Sequence, residues 1–493
     1  MQIQVDGGKI IINSARGSID DRLKLLIKSH KEDLINYFNR IREKEQARKI
    51  EYQDELYYEI TPSQIYWVDD EMDKEYKKCD VIHGKVLAIY DIEGSVDWRI
   101  FKKAVVYLFK RHESLRSTFH NIEGRYLMKV EKEDSGKYVP KFMDCRRALL
   151  AGQNIQEFIN FQDHTFDFKV GPLFLIRLTR MGDEKYVLSV FQHHIISDTW
   201  SDGILQRDLM AAYSAYSENR EPDLPFLKGQ YKEYLSMANY YSEKDYADQK
   251  KYWSALYNSL PGEIIIPGFR RVNTAVSGKI AEAETFLLSA EITGRIHSFA
   301  KGFSTSQFVI FQAMFKLFVC RETGAGDILI GTYVIGREDM GSENQVGCYA
   351  RTVLIRTVLD TKDSFNDVVR KVIKSNEEMR NHTSFPLRKY LESMMPPEHN
   401  TGSPFWNINM QFYDRDLPYL PASGMQGPGK PNFLKIEKQK SRVNSFISID
   451  MQLEFIKSGD KIKLLVQYDS SLYNSAGMKL FISRYLKFMD DIA

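Results

Sequence analysis

The segment PLFLIRLTRMGDEKYVLSVFQHH (172–194) places two apolar runs on either side of Met181-Gly182-Asp183. This pattern predicts two strands joined by a turn, with the second strand ending at His193-His194. Successive side chains on a strand point to opposite faces, so the two histidines are not expected to share a metal ion or a reacting atom. Asp198 follows four positions after His194. Thr199 then stands where a tight turn would more comfortably take glycine, since a Cβ narrows the backbone conformations available. On this segment alone, a catalytic centre, a metal site and a pair of well-packed histidines are all open readings.

At 493 residues the chain exceeds one compact core, so two or three domains are expected. Hydrophobic residues make up 43% and charged residues 27%, the balance of an ordinary globular protein. The 68 basic and 66 acidic residues leave a formal charge of +2, which argues against a broad nucleic-acid-binding face. Cys79, Cys145, Cys320 and Cys348 are widely spaced, which suggests neither a zinc cage nor a disulfide framework and points to a reducing, cytoplasmic setting. No secretory signal or bilayer-length apolar run is visible, so no membrane association is expected.

Four regions follow from texture. Residues 1–38 open with IQVDGGKIII, a hairpin pattern around Asp6-Gly7-Gly8, followed by a helix capped at Ser18. Residues 39–56 are rich in both charges and read as a solvated helical connector. Residues 57–225 and 226–493 each mix strands with amphipathic helices. Phe101, Ala104, Val105, Leu108 and Phe109 fall on one helical face, STSQFVIFQAMFKLFVCRETG reads as a helix, and DILIGTYVI and RTVLIRTVL read as strands. The expected fold class is mixed α/β (α+β), in two lobes behind a small N-terminal module.

The pattern HHxxxDxW at 193–200 resembles the HHxxxDG signature of condensation domains of nonribosomal peptide synthetases, in the chloramphenicol acetyltransferase-like superfamily. Further segments are similar to that family's motifs in the same order. TPSQIYW (61–67) resembles SxAQxxxW, and RHESLRSTF (111–119) resembles RHExLRxxF. YKEYLSMANYY, KKYWSALYNSLPG, VGCYARTVLIR, NHTSFPLRKYL and FWNINMQFYD resemble later family segments. The resemblance covers about residues 57–493. It implies two lobes forming a V-shaped pseudo-dimer with a central tunnel. It also implies amide formation between an acyl or peptidyl thioester donor and an aminoacyl thioester acceptor, in a peptide synthetase or a hybrid with a polyketide synthase. Carrier proteins upstream and downstream bring both substrates on phosphopantetheine arms, so the domain itself would need neither cofactor nor metal.

By the same resemblance, His194 is the site residue, as general base or as positioner. His193, Asp198, Arg116, Thr199 and Trp200 are its motif and structural support. Asp198 is implied to pair with an arginine, for which Arg116 is the candidate. Three positions depart from the family pattern: Thr199 replaces the motif glycine, Arg351 an asparagine and Tyr66 an arginine. The heterocyclising and epimerising branches fit less well. A catalytically silent docking or recruitment domain of the same fold is the alternative. The ending LKFMDDIA resembles the last helix of such a domain, which implies a piece of a larger protein. Residues 1–38 resemble β-hairpin docking domains, with Lys9, Arg16, Arg22, Lys24, Lys28 and Lys31 as candidate contacts for an acidic C-terminal peptide of an upstream synthetase protein.

Overall fold

The structure is a computed structural model. It describes residues 2–6, 9–13, 27–32, 35, 49–61, 63–65, 67–68, 84–133, 136–159, 161, 164–238, 243–259, 261–266, 281–337, 341–383, 385, 390, 406–414, 435–438 and 449–492. Its strands form four sheets among these residues. β1 (Gln2–Asp6) and β2 (Lys9–Asn13) pair antiparallel from Gln2 opposite Asn13 to Asp6 opposite Lys9, which is the hairpin expected from the glycine pair. The helix expected from Ser18 falls largely outside the described residues.

β3 (Lys49–Tyr52), β4 (Glu55–Glu59), β6 (Ser117–Ile122) and β7 (Arg125–Val130) form a sheet in the order β3-β4-β7-β6. The helical reading of residues 39–56 is therefore corrected from Lys49 onward. Charged side chains suit β3 because it is an edge strand with water on one side. β5 (Lys85–Glu93), β8 (Lys141–Asp144), β9 (Phe174–Arg180), β10 (Lys185–His193) and β15 (Lys435–Lys438) form the sheet β15-β5-β10-β9-β8. The predicted turn closes β9 onto β10, with Met181 N donating to Lys185 O at 2.8 Å. β11 (Ala281–Leu287), β12 (Asp327–Val334), β13 (Arg351–Val358), β14 (Ile408–Asp414), β16 (Met451–Ser458) and β17 (Lys461–Asp469) form the largest sheet, β11-β17-β16-β14-β12-β13.

Helix α1 (Trp98–Arg111) starts at Asp97, whose carboxylate accepts from Arg99 N and Ile100 N, and it buries the predicted face from Phe101 to Phe109. α2 (Thr199–Ser217) packs beside it, and α3 (Tyr231–Ala238) and α4 (Glu243–Leu256) follow. In the second half, α5 (Ala290–Gly302) precedes α6 (Gln307–Thr323), which is buried along most of its length and stops at Gly324 in the left-handed conformation. α7 (Phe365–Arg380) carries a capping box from Ser364 and Asp367, and α8 (Ser475–Asp491) closes the fold. No single helix among the described residues is long and apolar enough to cross a membrane.

Two large apolar cores result, but they do not divide at residue 225. The first is built on α1, β9 and β10, and it also takes Tyr231, Tyr234, Leu235, Val346, Cys348 and Tyr349 from further along the chain. The second lies between α5, α6, α7, α8 and one face of the largest sheet.

Lys316 stands fully buried in this second core, donating from Nζ to Ile355 O (3.0 Å) and Thr357 Oγ1 (2.7 Å). Burial disfavours the ammonium and pulls its pKa from 10.5 down to about 7. Between these values the folded chain holds the amine neutral while the unfolded chain stays protonated, so stability rises with pH across that window. Raising the pH from 7 to 9.5 should shift the stability difference between the native protein and Lys316→Met by roughly 3 kcal/mol in favour of the native protein. Calorimetric unfolding at the two pH values checks this.

Candidate functional site

β10 ends at His193, and His194-Ile195-Ile196 forms a single 3₁₀ turn before Asp198 caps α2. The two histidines are thus separated by the end of the strand rather than by alternation along it. His193 is fully buried, its ring set edge-on against Phe166, Phe168 and Trp67. Its Nδ1 accepts from Ile195 N at 3.1 Å, which places the proton of the neutral ring on Nε2. Gly84 lies against this ring at φ +67°. A Cβ there would stand 2.6 Å from His193 Cε1, so both the backbone and the space require glycine.

Each carbonyl of the turn has a partner. Ser197 N donates to His194 O at 3.2 Å, Gln64 Nε2 to Ile195 O at 2.9 Å, and Ser114 Oγ to Ile196 O at 2.7 Å. His194 N donates to Gly84 O at 2.6 Å. Ile195 and Ile196 are fully buried, and His194 remains partly exposed. Segments 61–67 and 111–119 therefore act as clamps on the turn. Sequence reasoning matched both segments to family motifs without assigning those roles to Gln64 and Ser114.

His194 Nδ1 lies 3.3 Å from Ser197 O. A carbonyl can only accept, so the neutral ring carries its proton on Nδ1 and keeps a lone pair on Nε2. The ring stacks on Trp67, with centroids 5.8 Å apart and planes at 28°.

Asp198 lies at the meeting point of both halves of the chain. Its Oδ1 accepts from Ser201 N (2.8 Å) and Ser201 Oγ (2.7 Å), capping α2. Arg337 NH2 donates to Oδ1 at 2.9 Å and Oδ2 at 3.2 Å, and Tyr349 N donates to Oδ2 at 3.1 Å. Arg337 NH1 also donates to Ser342 O (2.7 Å) and Gln345 O (2.6 Å), and its guanidinium lies 4.0 Å from the Tyr349 ring centroid. Burial pushes the Tyr349 phenol well above its usual pKa, against the opposing pull of Arg337. Gly347 N donates to Ser201 Oγ at 3.1 Å, and Trp200 Nε1 to Glu343 O at 3.0 Å.

The expected pairing of Asp198 with Arg116 is therefore wrong. Arg116 donates to Phe109 O at 2.8 Å and to Glu131 O, fastening α1 to β7. The partner is Arg337, one turn beyond β12. The signal that would have found it is the Gly336-Arg337 pair directly after DILIGTYVI.

Thr199 also corrects an expectation. It is the first residue of α2, exposed and outside the left-handed region, so its backbone makes no demand for glycine. Arg351 begins β13 opposite Val334. Tyr66 lies outside the described residues. So do Arg16, Arg22 and Lys24, while Lys9 begins β2 and Lys28 and Lys31 are exposed. Among the described residues no group of three or more His, Cys, Asp or Glu is placed to hold a metal ion.

A second buried cluster ties the C-terminal end of α1 to α2. His112 Nε2 lies 3.0 Å from Asp208 Oδ2, with both side chains fully buried, and Arg111 and Arg207 add donors to the same carboxylate. Burial lowers the His112 pKa. Burial also acts to raise that of Asp208, but His112 and Arg207 outweigh it and hold the group ionised.

The histidine turn, anchored by a buried aspartate, thus lies where segments from both halves of the chain meet. The condensation-domain profile matches residues 57–493, and the chain belongs to that family. Over 410 residues it is 24% identical to tyrocidine synthase 3 of Brevibacillus parabrevis, covering 83% of this chain and 6% of that protein. It is 22% identical over 405 residues to bacitracin synthase 1 of Bacillus licheniformis, covering 82% and 7%. The chain thus spans less than a tenth of the length of these synthetases. Among solved structures, the X-domain from teicoplanin biosynthesis superposes with a TM-score of 0.72 at 21% identity, over 88% of this chain and 94% of that one. The first condensation domain of the calcium-dependent antibiotic synthetase, in complex with a substrate analogue, gives 0.68 at 16% identity, over 88% and 96%.

Removing one partner of a buried ion pair costs about 3–5 kcal/mol. Asp198→Ala should therefore lower the unfolding temperature as well as any activity. Asp198→Ala combined with Arg337→Met should recover part of the loss, since no buried charge is left alone. Thermal unfolding of the native protein and both variants provides the check.

Proposed function

We propose that this chain is an amide-forming condensation domain. The attacking amine of an aminoacyl thioester meets a donor acyl thioester beside His194, in a tunnel between the two halves. Carrier-protein phosphopantetheine arms deliver both substrates. The observation that carries this reading is the state of His194. It is partly exposed at the tip of a fully clamped turn, with Nδ1 turned to Ser197 O and the Nε2 lone pair left for a substrate.

An α-amine of pKa about 8 keeps about a tenth of its population as the nucleophilic free base at neutrality, so no activated serine or cysteine is required. As the new C–N bond forms, the nitrogen passes a proton to Nε2 of His194. As the C–S bond breaks, the leaving thiolate takes that proton back. His194 thus acts as base and then as acid, while Asp198 stays committed to Arg337 and only shapes the turn. Dipeptide formation between two loaded carrier proteins should fall by about 10²–10⁴-fold in His194→Ala, the range of a lost general acid–base catalyst. An unchanged single-turnover rate in a folded His194→Ala would overturn the assignment.

The alternative is a silent recruitment domain. One observation favours it: a structural neighbour, the teicoplanin X-domain, has been solved in complex with OxyB. The loaded-carrier assay separates the two readings, because a recruitment domain forms no dipeptide with any variant.

The N-terminal hairpin supports a docking role. A two-stranded ribbon presents open edges to which an extended peptide adds as a further strand, and the lysines and arginines of residues 9–31 suit an acidic one. Deleting residues 1–38 should weaken transfer from the upstream synthetase protein while sparing condensation of freely supplied carriers. Carrier titrations on the full chain and the truncated chain measure the difference.

A further inference from the structure

We infer that Trp67 is a positioning residue for the reaction, its indole face stabilising the imidazolium that His194 becomes when it takes the proton of the attacking amine. The inference rests on the condensation reading for its chemistry, but its geometry stands independently of turnover.

A histidine that acts as a base needs its charged form supported. The usual support is a carboxylate on the far ring nitrogen, and none holds that place among the described residues. Asp198, the carboxylate nearest in sequence, is committed to Arg337, Ser201 and Tyr349. No ion pair involves His194 among the described residues, and its Nδ1 meets only the neutral Ser197 carbonyl. The adjacent His193 ring has Nδ1 occupied by Ile195 N and is fully buried. The aromatic group facing His194 is the indole of Trp67. Its centroid lies 5.8 Å from the imidazole centroid with the planes tilted by 28°, within the range over which an aromatic face attracts a cation.

The placement of Trp67 is determined by the same segment that clamps the turn. Gln64, three residues earlier, holds the Ile195 carbonyl, and Trp67 also packs edge-on against His193 at 6.0 Å. Gly84 lies under both rings: a Cβ there would be 2.6 Å from His193 and 2.9 Å from Trp67. The stack on His194 is therefore built by surrounding packing rather than by a loose side chain on the surface. The ring quadrupole is a graded property. Fluorine on the indole withdraws density from its face with little change of shape, which separates electrostatic support from mere packing.

The test is an NMR titration of His194 in the full chain, with ¹³C-labelled histidine and His194→Asn used for assignment. Position 67 carries in turn tryptophan, 5-fluorotryptophan and 5,7-difluorotryptophan, with Trp67→Phe and Trp67→Leu alongside. The His194 pKa should fall stepwise with fluorine content and by about half a unit in Trp67→Leu, which is about 0.7 kcal/mol at 1.36 kcal/mol per unit, with Trp67→Phe between. The His194-dependent limb of the condensation pH–rate profile should move with it. A His194 pKa that ignores fluorination overturns the inference, whatever the activities, and leaves a packing role. A stepwise shift in a protein that forms no dipeptide supports the Trp67–His194 coupling and removes the condensation reading instead.

Discussion

The buried pair of Asp198 and Arg337 is the interaction on which the site depends. Asp198 ends the turn that carries His194 and begins α2, so its carboxylate decides where strand, turn and helix meet. Arg337 enters from the other half of the chain, 139 residues later, and brings the 342–349 segment with it through two carbonyl contacts and the Tyr349 ring. Five donor contacts on one carboxylate, from Ser201, Arg337 and Tyr349, account for both charge and hydrogen-bonding capacity at a place with little water. A carboxylate so occupied is unavailable for proton transfer. Within HHxxxD the aspartate is thus a structural residue, and the second histidine is the one that stays partly exposed.

The turn itself is held by donors from distant segments. Gln64 and Ser114 each hold one carbonyl, Gly84 accepts from the His194 amide, and the two isoleucines anchor it in the first core. With its backbone polar groups paired and its apolar side chains buried, the turn has little freedom to relax toward solvent. This rigidity allows a partly exposed imidazole to keep one tautomer and one orientation.

Much of this architecture was legible in the sequence because its signals are local. Alternation and the Met181-Gly182-Asp183 turn gave β9 and β10, the five apolar positions from Phe101 to Phe109 gave α1, and the glycine pair gave the hairpin. What escaped is non-local or depends on context. The Asp198–Arg337 pair joins positions that no periodicity connects, and Arg116, closer in sequence and within a matching motif, was the wrong arginine. Thr199 looked anomalous against a glycine motif, yet a helix's first residue has no need of positive φ. The charges of residues 49–56 suggested a solvated helix. An edge strand satisfies the same composition, because one of its sides faces water and the other needs only backbone partners.

β15 has a different consequence. This strand, Lys435–Lys438, comes from late in the chain yet pairs with β5 at the edge of the sheet that ends in the histidines. The two halves are thus interlaced rather than adjoining, and the first core also borrows residues 231–235 and 346–349. Exchange of one half at any single cut near residue 225 would set a foreign outer strand against β5 and foreign side chains into the first core. Recombination that respects the fold must keep the whole span from β3, which begins at Lys49, to α8 together.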